Sequence, residues 1–243
     1  MKGVILAGGL GTRLAPLTRI INKHLLPIYD QPMIYYPIQT LVEAGVDEVL
    51  VVTGGPGAGD FLRLLGDGKE FGLSKLHYTY QRNEGGIADA LRYAAPFVEK
   101  EKCIVILGDN ILRGSIRPSV EAFKRQKGGA RILLKEVPDP ENYGVPVIRG
   151  DRILKIIEKP KRPTSSLAVI GVYMYDPTVF RLIETLKPSK RGELEVTDLN
   201  NAYLRRGQLH YDVFEGWWAD AGASIHGLYE VNRRVAEERH RNK

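Results

Sequence analysis

The chain has 243 residues, of which 43% are hydrophobic and 26% charged, and its formal net charge is +6. This size and composition are typical of a protein with a sizeable buried core and exclude intrinsic disorder. The single cysteine, Cys103, lies in an apolar run and excludes a disulfide framework within the chain, so we expect a buried structural thiol and a reducing compartment. No apolar stretch reaches the roughly 18 residues of a membrane span and no signal-peptide pattern is present, so we expect a cytoplasmic protein without a membrane partner.

The basic residues do not form the continuous patch that nucleic-acid binding requires. They are scattered, and the densest group, at residues 233–243, alternates with glutamates as on a solvated helix face. We therefore expect no nucleic-acid partner, whereas an excess of positive charge suits a protein that binds phosphates.

Short apolar runs alternate with stretches of helical spacing through the first half of the chain. The predicted strands are 3–7, 49–53, 76–81 and 103–107, and the predicted helices are 32–44 and 87–97. This alternation predicts an α/β fold with βαβ units and a mostly parallel sheet flanked by helices. Binding loops are expected at the carboxyl ends of the strands.

The second half changes character, because its predicted strands are joined by short turns. They are 130–137, 145–149, 153–157 and 169–175, and the predicted helices are 176–186, 196–206 and 224–241. We interpret the strands as a small mixed or antiparallel extension of the sheet. No linker-like segment divides the chain, which favours a single domain over residues 1–243.

A glycine-rich loop follows the first predicted strand, in the sequence LAGGLGTRL at residues 6–14. Clustered glycines let backbone N–H groups approach an anion closely, and Arg13 can add a bidentate contact to a phosphate. The loop lacks the Gly-Lys-Ser/Thr ending of a Walker A motif. It also has Leu14 where a dinucleotide-binding fingerprint needs its third glycine, so a dinucleotide oxidoreductase is disfavoured.

The loop resembles the signature of sugar-phosphate nucleotidyltransferases. The match continues as Pro16-Leu17-Thr18 and as KHLLP at residues 23–27, and YDQPMIYYP at 29–37 is similar to the glucose-1-phosphate thymidylyltransferase branch. The resemblance covers nearly the whole chain. It implies a Rossmann-like nucleotidyltransferase fold, with a nucleotide-binding part over about 1–110 and a sugar-phosphate-binding part over about 111–243. The implied reaction is Mg²⁺-dependent transfer of a thymidylyl group from dTTP to glucose 1-phosphate.

The resemblance also assigns residues to the nucleotide. They are Leu6, Gly8, Gly9, Gly11, Thr12, Arg13, Lys23, Gln81 and Gly86. A glutamine amide both donates and accepts hydrogen bonds, which suits the edge of a pyrimidine at Gln81, and Gly86 would let a flat base lie against the backbone.

The resemblance also implies that two aspartates are the Mg²⁺ ligands. Asp109 lies just after the apolar strand 103–107, in the sequence Leu-Gly-Asp-Asn, and Asp220 lies in the sequence WWADAG. Carboxylate oxygens suit Mg²⁺, and no Cys/His cluster in the sequence suggests zinc. Asp109 is expected to act in catalysis together with Arg13 and Lys159, whose cations would offset the repulsion between two polyanions.

The sugar-phosphate side is assigned by the same resemblance. Its predicted residues are Gly144, Glu158, Lys159, Val169 and Glu193, with Glu195 or Asp198 as structural supports. Glu158 would accept hydrogen bonds from sugar hydroxyls, and Lys159 would bind the nucleophilic phosphate.

The chain departs from the family pattern at two places, and other functions stay open. Ala223 stands where threonine is common after the metal aspartate, and Gln31 replaces a frequent lysine. A UTP-dependent enzyme shares the pyrimidine edge, and a non-catalytic nucleotide-sugar sensor could keep the fold. A glycosyltransferase is disfavoured because Gly108-Asp109-Asn110 is not an Asp-x-Asp motif. We expect a homodimer or a higher homo-oligomer.

Overall fold

The computed structural model describes residues 1–55 and 57–241. The chain forms two compact units, each assembled from three separate segments. The loop unit consists of Gly3–Asn83, Ile106–Ser115 and Gly216–Lys243, and the extension unit of Met1–Lys2, Glu84–Val105 and Ile116–Glu215. The sequence-based division near residue 110 stays a prediction, and the two units follow other boundaries.

The secondary structure alternates as expected in the first half and becomes strand-rich in the second. The strands are β1 (Lys2–Ala7), β2 (Pro27–Ile28), β3 (Gln31–Pro32), β4 (Glu48–Gly54), β5 (Lys75–Gln81), β6 (Cys103–Leu107), β7 (Asn110–Arg113), β8 (Ala130–Glu136), β9 (Gly144–Arg149), β10 (Arg152–Glu158), β11 (Leu167–Tyr175), β12 (Leu209–Val213) and β13 (Trp217–Asp220). The α-helices are α1 (Tyr35–Glu43), α2 (Ala58–Leu65), α3 (Ile87–Arg92), α4 (Ala95–Val98), α5 (Arg117–Arg125), α6 (Val179–Ile183), α7 (Val196–Arg205) and α8 (Ile225–Arg241).

The loop unit contains the parallel strands that were expected. β1 pairs with β4 and β4 pairs with β5, both in parallel, so their carboxyl ends lie at one edge. β1 and β4 are rich in Val, Leu and Ile and almost fully buried, as is typical of a parallel sheet covered on both faces. The edge strand β5, with the sequence KLHYTYQ, is exposed or half-buried except at its last residue. An apolar cluster packs Leu14, at the end of the glycine-rich loop, with Leu228, Val231 and Val235 of α8. The loop is thus attached to a packed helix at its far end.

The extension unit is built mainly from antiparallel pairs. β9 pairs with β10 and with β11, and β11 also pairs with β8, all antiparallel, while β8 and β12 are parallel. Helix α7 is tied to β10 by Asn201, whose side chain accepts from the backbone N–H of Ile156 at 2.9 Å and donates to its carbonyl at 2.8 Å. These two hydrogen bonds hold α7 beside the strand that ends in Glu158.

The predicted α/β class with a mostly parallel sheet and a mixed extension is confirmed. The single helix predicted over 87–97 is wrong, because it divides into α3 and α4. Pro96 lies in the first turn of α4 and has no N–H to continue the hydrogen bonding of α3. The helix predicted over 176–186 is shorter, since Asp176 accepts from the backbone N–H of Thr178 at 3.0 Å before α6 begins.

The predicted role of Cys103 as a buried structural thiol agrees with its position in β6. Burial raises the pKa of this thiol to about 12, so it stays protonated and unreactive at neutral pH. Among the helices of residues 1–55 and 57–241, none combines the length and the hydropathy that crossing a membrane requires.

Candidate active site

The glycine-rich loop leaves the carboxyl end of β1 and turns sharply at Gly11. Gly11 has φ +66° and ψ +31°, a left-handed conformation that glycine adopts without strain. Its carbonyl accepts a hydrogen bond from the hydroxyl of Thr18 at 2.9 Å, and the next residues form a short 3₁₀ turn, Thr12–Leu14. Leu14 is fully buried whereas Thr12 and Arg13 are exposed. The loop therefore presents a threonine and an arginine to solvent from an anchored base.

Asn22 ties the glycine-rich loop to the neighbouring strand. Its buried side-chain N–H₂ donates to the carbonyls of Ala7, at 3.3 Å, and of Gly54, at 3.4 Å, which are the last residues of β1 and β4. Its side-chain oxygen accepts from the backbone N–H of His24 at 3.0 Å. The sequence analysis did not single out Asn22, because an asparagine in a polar loop is usually a turn or cap residue.

His24 is buried beside the same loop and is uncharged at neutral pH. Burial, followed by the positive charge of Lys23, lowers the pKa of His24 to about 3. Its Nδ1 lies 2.7 Å from the side-chain oxygen of Asn22, so a neutral imidazole donates there. A Cβ on Gly108 would lie 2.7 Å from His24 Cδ2, so only glycine fits in front of Asp109.

Gln81 ends β5 in the place predicted for the residue that reads the base. Its side chain is buried, and a Cβ on Gly8 would collide with its amide oxygen. A Cβ on Gly54 would lie 3.0 Å from the Gln81 carbonyl and 3.0 Å from the Gly8 carbonyl. The glycines at 8 and 54 therefore allow the Gln81 amide to lie directly against the loop.

The two predicted metal ligands are brought together by a ladder that the sequence analysis missed. β7 and β13 pair antiparallel with Asp220 opposite Asn110, so Asp109 and Asp220 lie at the same end of the ladder. The Ala221 N–H donates to the Asp109 carbonyl at 2.9 Å, and the Trp218 indole donates to Asn110 at 2.6 Å. A carboxylate pair separated by about a hundred residues is thus held by backbone pairing.

Lys23 contacts this carboxylate pair directly. Its Nζ lies 2.5 Å from Asp109 Oδ2, and the two side chains are only 11% and 8% exposed. Burial favours the protonated form of Asp109, but the charge and hydrogen bond of Lys23, together with contributions from His24 and Asn110, outweigh it and hold the pKa of Asp109 below its usual range. Burial, followed by the negative charge of Asp109, raises the pKa of Asp220 to about 6. The two carboxylates are therefore close enough to repel each other.

The donor set of this pair fits a hard divalent cation. Two carboxylates supply oxygen ligands, and Mg²⁺ typically completes its octahedron with phosphate oxygens and water. Within residues 1–55 and 57–241, no group of three or more His, Cys, Asp or Glu side chains could hold a metal. A site with two protein carboxylates and open positions suits a metal that is shared with a phosphate substrate.

In the extension unit, three of the predicted sugar-binding residues lie side by side. Gly144 begins β9, and both Glu158 of β10 and Val169 of β11 lie opposite it in the sheet. A Cβ on Gly144 would lie 3.0 Å from the hydroxyl of Thr197, so glycine leaves room for that side chain. Thr197, in the first turn of α7, donates to Glu158 Oε2 at 2.5 Å and sets the orientation of its carboxylate.

Arg191 joins three carboxylates near these residues. Its Nη2 lies 2.8 Å from Glu195 Oε2, 3.2 Å from Glu193 Oε2 and 3.8 Å from Glu158 Oε1. Glu195 is mostly buried and takes the closest contacts. The supporting role expected for Glu195 or Asp198 stays a prediction. The sequence analysis gave Arg191 no role of its own, since a single arginine beside glycine is more often a surface residue.

Lys159 follows Glu158 in a strained backbone conformation. Its φ is +43°, which is uncommon for a residue with a side chain, and it precedes Pro160. The Lys159 N–H donates to the Tyr143 carbonyl at 3.0 Å, which helps to hold this conformation. Strain of this kind is maintained where a side-chain direction matters, and it supports the predicted catalytic role.

Gly86 lies in the extension unit against the segment that carries Glu193. Its φ is +93°, and a Cβ would lie 2.7 Å from the Leu194 carbonyl and 3.0 Å from Glu193 Cβ. Leu194 also donates to the Gly85 carbonyl at 2.6 Å and accepts from the Ala88 N–H at 3.2 Å. The assignment of Gly86 to the base stays a prediction, and its contacts give it a second role beside Glu193.

Comparison with known proteins gives a consistent family. Residues 2–238 match the family described as Nucleotidyl transferase. A glucose-1-phosphate thymidylyltransferase of Actinoplanes sp. is 45% identical over 91% of this chain and 74% of its own length. The enzyme of the same name from Neisseria meningitidis is 43% identical over 93% of this chain and 80% of its own.

Two solved structures show the same fold along nearly the whole chain. One is a candidate glucose-1-phosphate thymidylyltransferase from Bacillus anthracis in complex with sucrose, with a TM-score of 0.91, 49% identity, and coverage of 96% of this chain and 94% of its own. The other is a UDP-glucose pyrophosphorylase complexed with UDP-glucose, with a TM-score of 0.86, 25% identity, and coverage of 98% of both chains.

Proposed function

The chain belongs to the nucleotidyl transferase family, and we propose that it transfers the thymidylyl group of dTTP to glucose 1-phosphate, giving dTDP-glucose and pyrophosphate. The observation that carries the reaction type is the convergence of Gln81, Lys23, Asp109 and Asp220 around the glycine-rich loop within one compact unit. The proposed substrates follow from relatives named glucose-1-phosphate thymidylyltransferase, which are 41–45% identical over most of the chain.

The chemistry needs positioning and charge more than proton transfer. An oxygen of the sugar phosphate attacks the α-phosphorus in line, and pyrophosphate leaves. The nucleophile is already ionised, so no general base is required, and His24 is buried and neutral. The main obstacle is the approach of two polyanions. Mg²⁺ bound by Asp109 and Asp220 would offset the negative charge of the phosphate oxygens of the nucleotide.

The cations of the chain divide this work. Arg13 is exposed on the loop whose backbone N–H groups would bind the triphosphate, and its guanidinium would contact the α-phosphate as charge develops there. Lys159 would bind the phosphate of the sugar, with its direction fixed by the left-handed backbone. Glu158 and Glu193 would accept hydrogen bonds from the sugar hydroxyls.

The choice between dTTP and UTP depends on more than Gln81. Both pyrimidines offer an adjacent carbonyl and N–H to the buried Gln81 amide. Relatives named for thymidylyl transfer are 41–45% identical to this chain, whereas the UDP-glucose pyrophosphorylase is 25% identical. The UTP-dependent reaction is therefore the second candidate.

The direct test is pyrophosphate release with Mg²⁺ and glucose 1-phosphate, with dTTP, UTP, ATP, CTP and GTP compared in parallel. We expect the highest kcat/KM with dTTP. Turnover with UTP alone would keep the mechanism and replace the substrate. Tight nucleotide binding without turnover on a panel of sugar 1-phosphates would favour a non-catalytic sensor of nucleotide sugars.

We also propose that the enzyme works in the cytoplasm as a homodimer or larger homo-oligomer. The single, buried thiol is compatible with a reducing compartment. Light scattering on the purified protein would measure the oligomeric state. A monomer at assay concentration would exclude the proposed oligomer.

A further inference from the structure

Lys23 lies where two predicted functions meet. Its ammonium is 2.5 Å from Asp109 Oδ2, an oxygen of the candidate metal site. Its stem follows the glycine-rich loop, because a Cβ on Gly11 would lie 2.9 Å from Lys23 Cβ and a Cβ on Gly9 would lie 3.8 Å from Lys23 Cε. One side chain thus extends from the phosphate-binding loop to the metal carboxylates.

The contact with Asp109 is an ion pair between buried groups. The exposed fractions of the Lys23 and Asp109 side chains are 11% and 8%, and Asp220 lies at the end of the adjacent strand. Two buried carboxylates require nearby positive charge, since burying them without compensation is strongly unfavourable. The Lys23 ammonium supplies that charge at the oxygen where a metal would bind.

The Lys23 ammonium and a divalent cation compete for Asp109 Oδ2. Mg²⁺ binds carboxylate oxygens at about 2.1 Å, and an ammonium that donates to the same oxygen would be repelled by the metal. A Cβ on Gly222 would lie 2.9 Å from Lys23 Nζ, so there is little room for a second cation around the ammonium. The unbranched lysine stem allows the head group to move while its Cβ stays in place.

We propose that Lys23 is an exchangeable counter-ion of Asp109: a divalent cation displaces its ammonium from the carboxylate, and the released lysine binds the phosphates of the nucleotide. This inference rests on the proposed nucleotidyl transfer for the identity of the phosphate ligand. It makes metal binding and triphosphate binding interdependent, because the metal frees the lysine and the triphosphate then holds it away from Asp109.

The first experiment follows the ammonium itself. The protein is labelled with ¹⁵N-lysine, the Lys23 ammonium resonance is assigned by its loss in Lys23→Met, and Mg²⁺ alone is added. We expect the resonance to shift or broaden in proportion to metal binding, which calorimetry measures on the same sample. A resonance that is unchanged when the site is saturated would overturn the exchange. If Lys23→Met does not fold, Lys23→Arg, which keeps a cation beside Asp109, provides the assignment instead.

The second experiment measures the affinity for Mn²⁺ alone in the wild type, Lys23→Met and Lys69→Met. Lys69 is the matched control, because its ammonium pairs with Asp67 at 2.9 Å on an exposed surface. Removing a competing cation should tighten Mn²⁺ binding to Lys23→Met by about tenfold or more, with no change for Lys69→Met. Equal or weaker binding by Lys23→Met would mean that Lys23 is a fixed support. No binding by any variant would overturn displacement of the ammonium by the metal alone.

The two proposals can fail separately. Ammonium displacement by Mg²⁺ without pyrophosphate release would leave the exchange intact and remove the proposed reaction. Pyrophosphate release with an unmoved Lys23 resonance would do the opposite.

Discussion

The charged groups of the two units are arranged in different ways. In the loop unit, the side chains of Lys23 and Asp109 are 11% and 8% exposed. The glycines at 8, 108 and 222 each allow a neighbouring side chain to lie directly against the backbone. In the extension unit, Arg191 is 46% exposed, and its partners Glu193 and Glu158 are 37% and 30% exposed. The Lys23–Asp109 pair of the loop unit is therefore buried, whereas Arg191 of the extension unit is half-exposed and only one of its three carboxylate partners, Glu195, is mostly buried.

This difference matches the ligands that each set would bind. Buried charges interact strongly and suit a fixed metal and triphosphate, where misplacement by about 1 Å costs rate. Partly exposed carboxylates interact more weakly with their neighbours and can accept hydrogen bonds from sugar hydroxyls on their solvent side. Substitutions in the loop unit should therefore act on kcat, and substitutions in the extension unit should act on the KM for the sugar phosphate.

The strongest test of the comparison is Asp109→Asn, which keeps the side-chain shape and removes one charge of the buried pair. We expect kcat to fall about 1,000-fold and Mn²⁺ binding to be lost, because the metal stabilises several kcal/mol of transition-state charge. Pyrophosphate release and calorimetry measure the two effects. Asp67→Asn removes the carboxylate of the exposed Lys69–Asp67 pair and should change neither. A kcat of Asp109→Asn within tenfold of the wild type would remove Asp109 from the metal site.

A second test compares two glycines of the extension unit with positive φ. Gly86 has φ +93° with the Leu194 carbonyl 2.7 Å from the position of a Cβ, whereas Gly192 has φ +77° with nothing within 4 Å. Gly192→Ala should lower the free energy of unfolding by about 1 kcal/mol through backbone strain, and Gly86→Ala by about 3 kcal/mol because the backbone must also move. Urea unfolding measures both values.

The same pair of variants locates the function of Gly86. Displacement of Glu193 by Gly86→Ala should raise the KM for glucose 1-phosphate about tenfold or more, with Gly192→Ala as the reference. A rise in the KM for dTTP alone would instead support contact between Gly86 and the base.

Glu158→Gln tests the solvated side of the comparison. The amide loses the charge that accepts from sugar hydroxyls, and the KM for glucose 1-phosphate should rise about tenfold. The KM for dTTP should stay constant, and the stability should change by less than about 1 kcal/mol because the carboxylate is partly exposed. Glu141→Gln, an exposed substitution in the same unit, is the control. A loss in kcat with an unchanged sugar KM would place Glu158 outside the sugar site.

The last prediction concerns the pH dependence of stability and His24. The pKa of His24 is about 3 in the folded protein and about 6.5 when unfolded, so only the unfolded chain takes up this proton between these values. Stability should therefore fall as the pH decreases from about 6.5, by about 1.4 kcal/mol per pH unit from this residue. His24→Gln should remove that contribution, as measured by urea unfolding between pH 4 and 7.

The sign of this effect can be separated from that of Asp220. The pKa of Asp220 is raised to about 6, so its contribution to stability is present at low pH and is lost as the pH rises through 6. Both proteins share this contribution, and it cancels in the difference between wild type and His24→Gln. Exposed His226→Gln is the control, and equal slopes for wild type and His24→Gln would mean that His24 is not buried in its neutral form.

Local sequence patterns account for the backbone of the loop unit. The apolar runs of β1 and β4 and the glycines of the loop encode their own geometry, since burial on both faces and a left-handed turn restrict the residues that fit. The strands β8, β9, β10 and β11 of the extension were likewise predicted within a few residues, whereas β12 was not predicted. The β7–β13 ladder was missed because both strands are short and lie about a hundred residues apart.

Sequence alone also identified Asp109, Asp220, Gln81 and Glu158 as candidates, because each ends a strand or lies in a motif that resembles a known family. Tertiary structure decided their partners: Lys23 against Asp109, Thr197 against Glu158, and Asn22 across the ends of β1 and β4. The physical reason is that a residue's type and its neighbours determine local conformation, whereas burial and the distance between charges depend on segments that meet only when the chain has folded.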